Sequence, residues 1–125
     1  MPEKTPAPPS ILCVDDDVDT CDYLTILFRE FRFEVVHSIS RAVPTLAAQS
    51  HDLYILDNWL PDGSGIELCR TIRLKYPSVP ILFTSGSSLP NEIDEALAAG
   101  ADEYLLKPCE PLKLREIVKD LIYRN

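Results

Sequence analysis

Short apolar runs alternate along this chain with longer stretches in which hydrophobic side chains return every three or four positions. The runs cover residues 11–14, 33–36, 53–56, 80–83 and 103–106. Their length and their branched and aromatic content predict strands, and three are apolar almost throughout, as strands covered on both faces are. Between them, Leu24, Leu27, Phe28 and Phe31 keep the i, i+3, i+4, i+7 spacing of one helix face. Ile39, Ala42, Val43, Leu46 and Ala47 repeat it, which requires Pro44 to lie within or near the first turn of that helix. Leu68, Cys69 and Ile72 mark a third helix, and Ile93, Ala96 and Leu97 a weaker fourth. Leu114, Ile117, Val118, Leu121 and Ile122 give the cleanest stripe, in a fifth. Ahead of the first run, Pro2, Pro6, Pro8 and Pro9 predict an extended, mobile leader over residues 1–9, followed by one domain over 10–125.

Five strands alternating with five helices predict an α/β fold, a doubly wound parallel five-stranded sheet of (βα)5 form. Right-handed crossovers leave few ways to wind it, and the flavodoxin-like order 2-1-3-4-5 is the commonest at this size. The 125 residues suffice for one such domain and leave nothing over for a second.

Ligands of such folds bind outside the carboxyl ends of the strands, near the switch between strands 1 and 3. Asp15, Asp16 and Asp17 follow the first run, Asp57 the third, Thr84 and Ser85 the fourth, and Lys107 and Pro108 the fifth. The second ends at His37 and Ser38 on an outer edge and offers little. Taken singly these are ordinary: Asp17 is expected to cap the first helix, and residues 60–63 read as a plain turn. Together they are not, because four strand ends supply acids, a hydroxyl pair and a single lysine to one crevice. Three ionised, unpaired carboxylates at close quarters would repel. A divalent cation or the Lys107 ammonium would relieve that, and an all-oxygen donor set suits Mg²⁺. Carboxylate, Mg²⁺, hydroxyl and Lys⁺ are the groups that stabilise a transferring phosphoryl group, with Asp57 placed to act as its nucleophile.

Twelve basic against twenty acidic residues give a net charge of −8. That argues against nucleic acid or an anionic membrane as partner, since both need a basic face. No apolar run is long enough to span a bilayer and no basic, then apolar, start marks a secretion signal, so the cytoplasm is the expected location. Cys13, Cys21, Cys69 and Cys109 form no C-x-x-C or Cys/His cluster, so neither a zinc site nor a disulfide framework is expected.

In order and spacing, these pieces resemble the receiver domain of bacterial two-component response regulators, over about residues 10–123. The matching residues are the stretch ending in Asp15, Asp16 and Asp17, that from Leu56 and Asp57 through Pro61 and Asp62 to Gly65, Ile81 to Thr84 and Ser85, and Gly100 through Tyr104 to Lys107 and Pro108. The resemblance implies that Asp57 accepts a phosphoryl group from a sensor histidine kinase or phosphotransfer protein. It implies Mg²⁺ bound by Asp16 and Asp57, by the Trp59 backbone carbonyl and, through a water, by Asp15. It implies that Thr84 and Lys107 contact the phosphoryl oxygens and that Pro108 follows a cis peptide bond. Tyr104 matches the aromatic switch that tracks Thr84 and reports to the face made by the fourth helix, fifth strand and fifth helix. A downstream effector and a phosphorylation-dependent homodimer are the partners so implied, and no enzyme activity beyond the domain's own phosphorylation and dephosphorylation.

Trp59 is large for its place beside the path of attacking water, Cys109 stands where a bulky apolar residue is usual, and Ser85 and Gly86 leave an open rim. None removes a required group. The alternative is a pseudo-receiver, an interaction module not controlled by phosphate. A phosphatase of the haloacid-dehalogenase type would need an acid where Trp59 stands, and a flavin phosphate would be repelled by Asp15–Asp17.

Overall fold

The computed structural model describes residues 7–124. The elements follow in the order β1 (Ser10–Val14), α1 (Val18–Leu27), β2 (Arg32–Val36), α2 (Ile39–Ala48), β3 (Leu53–Leu56), β4 (Trp59–Leu60), β5 (Gly63–Ser64), α3 (Gly65–Lys75), β6 (Ile81–Ser85), α4 (Pro90–Ala98), β7 (Glu103–Leu106) and α5 (Pro111–Tyr123). The main sheet is parallel in the order β2-β1-β3-β6-β7. Without the two-residue strands of the β4–β5 hairpin, this is the expected 2-1-3-4-5.

Alternation along the three central strands sorts their side chains between two layers. Ile11, Cys13, Leu53, Ile55 and Leu82 point to one face and pack with Leu24, Phe28, Leu114, Val118 and Leu121. Leu12, Val14, Tyr54, Leu56, Ile81 and Phe83 point to the other, against Ala42, Leu46, Leu68, Cys69, Ile72 and Ala96. Helices α1 and α5 therefore cover one face and α2, α3 and α4 the other. Every residue of β1, β3 and β6 is buried, whereas the edge strands β2 and β7 are part-exposed.

Three local readings need correction. Helix α1 stops at Leu27; Phe28 is its C-cap and Phe31 lies in the turn before β2, both still buried. Their helical spacing survives because the turn returns them to the same core. Pro44, expected within or near the first turn of α2, sits just past it in the second. Asp17 is the N-cap of α1, but its carboxylate accepts from Thr20 Oγ1 at 2.5 Å instead of from a backbone N–H. Of the leader read over residues 1–9, residues 1–6 lie outside the described residues; the Pro8 and Pro9 carbonyls accept hydrogen bonds from Arg32.

Candidate functional site

Strand register brings the chemistry together. Val14 pairs with Leu56, and Leu56 with Phe83, so the residues that follow them, Asp15, Asp57 and Thr84, leave the sheet side by side. Ser85 pairs with Leu106, which sets Lys107 beside the end of β6, where its N–H donates to the Ser85 carbonyl at 2.8 Å. The Lys107–Pro108 peptide is cis.

One carboxylate oxygen each from Asp15, Asp16 and Asp57 lies within 4.8 Å of the others. Asp15 is buried, Asp57 half-buried and Asp16 exposed. Lys107 Nζ donates to Asp15 Oδ2 at 2.6 Å and stands 3.7 Å from Asp57 Oδ2. Burial pushes the Asp57 carboxyl above its ordinary range, and the charge of Asp15 adds to that against the opposing pull of Lys107. Burial also works against the Lys107 ammonium, but the bond to Asp15 and the two nearby carboxylates outweigh it and hold the amine protonated more firmly than usual. The Asp15 carboxylate is further fixed by the Asp17 N–H at 2.9 Å. Asp15 is thus committed to Lys107 and its own loop, while Asp16 and Asp57 present the freer oxygens. The donor set is all carboxylate, which fits a hard divalent cation.

A cleft of about 390 Å³ opens next to these groups, lined among others by Tyr23, Leu24, Thr84, Lys107, Pro108 and Cys109. Thr84 is buried at its floor. Cys109 is half-buried, its thiol donates to the Leu106 carbonyl at 3.2 Å, and burial raises its pKa. Trp59 is 62% exposed while its backbone pairs with Ser64. Tyr104 is half-buried; its ring stacks on Phe83 with centroids 6.1 Å apart, and its hydroxyl donates to the Ser87 carbonyl at 2.8 Å.

Several supports make contacts at which nothing in the sequence hinted. His37, just past the end of the edge strand β2, places Nδ1 2.9 Å from the Asp15 carbonyl, an arrangement that requires the proton on Nδ1. Asp62 reaches from the turn after β4 to accept from the N–H groups of Ile39 and Ser40, both at 2.8 Å, at the start of α2. Those two bonds lower its pKa. Buried Asn58 accepts from Ser64 Oγ, and its carbonyl accepts from the Gly65 N–H at 2.7 Å. A Cβ on Gly65 would fall 2.0 Å from the Asp57 carbonyl oxygen, so only glycine lets the loop close on Asp57. Gly65 belonged to the matched stretch; its reason is this close approach.

The family model of the response regulator receiver domain matches residues 11–119. The DNA-binding response regulator MtrA of Mycolicibacterium smegmatis is 34% identical over 117 residues, 92% of this chain and 51% of that protein. The response regulator protein PilR of Pseudomonas aeruginosa is 36% identical over 110 residues, 86% of this chain and 24% of that protein. The chain thus spans about half the length of MtrA and a quarter of PilR. Among solved structures, a two-component response regulator from Clostridium difficile has a TM-score of 0.89 at 30% identity, covering 93% of this chain and 97% of that one. The receiver domain of sensor histidine kinase PA1611 from P. aeruginosa, with magnesium coordinated in its active site cleft, has a TM-score of 0.84 at 28% identity, covering 93% and 98%.

Proposed function

Because the chain belongs to the response regulator receiver family, we propose that it is a phosphorylatable signalling receiver with Asp57 as acceptor. One observation carries this reading: of the two carboxylates that reach both Lys107 and the rest of the cluster, Asp15 is buried and bonded to the ammonium at 2.6 Å, whereas half-buried Asp57 stands 3.7 Å from it with the freer oxygens. In the proposed reaction an Asp57 oxygen attacks the phosphorus of a kinase phosphohistidine. The O–P bond forms as the N–P bond breaks, and the electron pair stays on the imidazole, which takes up a proton. Asp57 becomes an acyl phosphate. Lys107 and the Thr84 hydroxyl meet the charge that spreads over the three phosphoryl oxygens. Asp16, Asp57 and the Trp59 carbonyl, with Asp15 through a water, would hold Mg²⁺, which when bound neutralises charge on the transferring group.

Tyr104 links this site to the face of α4, β7 and α5, where an effector or a second copy would bind. A cytoplasmic histidine kinase or phosphotransfer protein is the upstream partner in this reading. Among the described residues no helix is long and apolar enough to cross a membrane.

Incubation with Mg²⁺ and acetyl phosphate should add a single phosphoryl group by intact mass, and Asp57→Asn should abolish it. Full labelling of Asp57→Asn would overturn the assignment. Asp16→Ala should weaken the Mg²⁺ titration followed by the fluorescence of the single tryptophan, Trp59; an unchanged curve would remove Asp16 from the ligand set.

A further inference from the structure

Helix α4 begins without the usual side-chain cap. Its N-cap is Leu89, whose apolar side chain can accept no capping hydrogen bond, and Pro90 occupies the first helical position. In a capping box the acid three residues past the cap reaches back to the cap itself. Here that acid, Glu92, reaches further: its carboxylate accepts from the Ser87 hydroxyl. The same hydroxyl accepts from the Leu89 N–H at 3.3 Å, and the Ser87 N–H donates to Ser85 Oγ at 3.2 Å. Ser87 is therefore held from both sides, by the end of β6 and by the first turn of α4.

The Ser87 carbonyl is what receives the Tyr104 hydroxyl, at 2.8 Å. Phe83, under the Tyr104 ring, immediately precedes Thr84 on β6. The ring is thus clamped between the strand that carries Thr84 and the loop that follows it. Gly86, next to Ser87, is exposed and a side chain there would meet nothing within 4 Å, so no packing holds the loop at that point. Its shape near Ser87 rests on these hydrogen bonds.

We propose that Glu92 is a positioning residue which, through Ser87, holds the loop between β6 and α4 in the form that captures Tyr104 before any group is added to Asp57. The latch deepens the receiver reading and rests on it for its consequence: the switch face is set in advance, and Asp57 reinforces a conformation that Glu92 already favours. A hydrogen bond to a charged acceptor is strong enough for its removal to shift such an equilibrium roughly tenfold.

The test uses the full chain carrying 3-fluorotyrosine, followed by fluorine NMR, with the Tyr104 signal among the five tyrosines identified by Tyr104→Phe. Glu92→Ala removes the acceptor. Glu92→Gln keeps an oxygen that can accept, and Ser87→Ala removes the hydroxyl while leaving the carbonyl that Tyr104 uses. Without phosphate, Glu92→Ala and Ser87→Ala should move the Tyr104 signal toward a solvent-exposed position, by a roughly tenfold change in the ratio of captured to free ring. Glu92→Gln should stay near wild type. A Tyr104 signal unmoved in both alanine variants, in chains whose melting shows them folded, overturns the latch; so does a Glu92→Gln signal displaced as far as that of Glu92→Ala. Acetyl phosphate labelling on the same samples separates the two readings. A wild-type chain that takes no phosphoryl group sinks the Asp57 assignment and leaves the fluorotyrosine comparison, which needs no phosphate, to decide the latch.

Discussion

Replacing Asp57 by asparagine should make the metal-free protein more stable, although it removes the proposed acceptor. At an effective dielectric of about 20, two unit charges 4.8 Å apart, the outer limit for these carboxylates, repel by about 3.5 kcal/mol. On the same scale the Lys107 ammonium, 3.7 Å from Asp57, attracts it by about 4.5 kcal/mol. Two repulsions against one attraction leave a penalty of about 2.5 kcal/mol. Asp16 is exposed, and water screens its share to about 1 kcal/mol, which brings the Coulomb balance near zero. Burial of the Asp57 carboxylate then tips the balance, since desolvation is the largest influence on it. A gain of about 1–3 kcal/mol is expected for Asp57→Asn, or roughly 3–12 °C in Tm for a domain of this size. Thermal and urea unfolding followed by circular dichroism, in EDTA, would measure it. Saturating Mg²⁺ should then narrow the gap, because the wild type keeps one more anionic ligand for the ion and gains more from it. An asparagine variant that melts at or below wild type in EDTA, with an unchanged urea m-value, would refute the charge argument.

Gly65→Ala should cost about 1–3 kcal/mol by forcing the backbone at Asp57 to move, and should slow acetyl phosphate labelling; urea unfolding and intact mass would check both. Glu30 is held down to about 2 mainly by its hydrogen bond to Arg115. Its contribution is therefore complete above the unfolded carboxylate range near 4.3 and fades as pH falls toward 2. Glu30→Gln should flatten the stability curve across that acid window, by less than about 1 kcal/mol because the pair is solvent-screened, and leave it parallel to wild type at pH 7. Trp59→Asn should lose its phosphate faster than wild type, followed by decay of the phosphorylated mass, with Mg²⁺ affinity little changed because the backbone carbonyl is retained. Equal or slower decay would mean that the indole does not guard the approach of water.

The sheet was legible because strands buried on both faces carry unbroken apolar runs, and residues such as Val14, Leu56 and Phe83 end those runs at the level where the site begins. The gathering of Asp15, Asp57, Thr84 and Lys107 followed from the rule that such crevices open at the carboxyl ends. The end of α1 was not legible, since Phe28 and Phe31 keep helical spacing with no glycine or proline to interrupt it. Nor were the contacts made by His37, Asp62, Ser87 and Glu92. Their work is done by single polar contacts between segments distant in sequence or within an aperiodic loop, and no hydrophobic period announces such contacts. The β4–β5 hairpin escaped for a related reason: two residues are too few to show an alternation.

The carboxylate of Asp62 on the N–H groups of Ile39 and Ser40, with the glycine-only closure at Gly65, makes the Asp57 loop stiff on one flank. On the opposite flank, the loop after β6 is tied by hydroxyl and carboxylate contacts that can be exchanged one at a time. A push applied at Asp57 would meet more resistance toward α2 than toward α4. In the receiver reading, strain entering at Asp57 would then travel toward the neighbour that yields, whatever the point at which the push begins. Transplanting the Asp62 brace to the β6 side, or cutting it on the α2 side, would rotate that direction without touching a residue of the acid cluster.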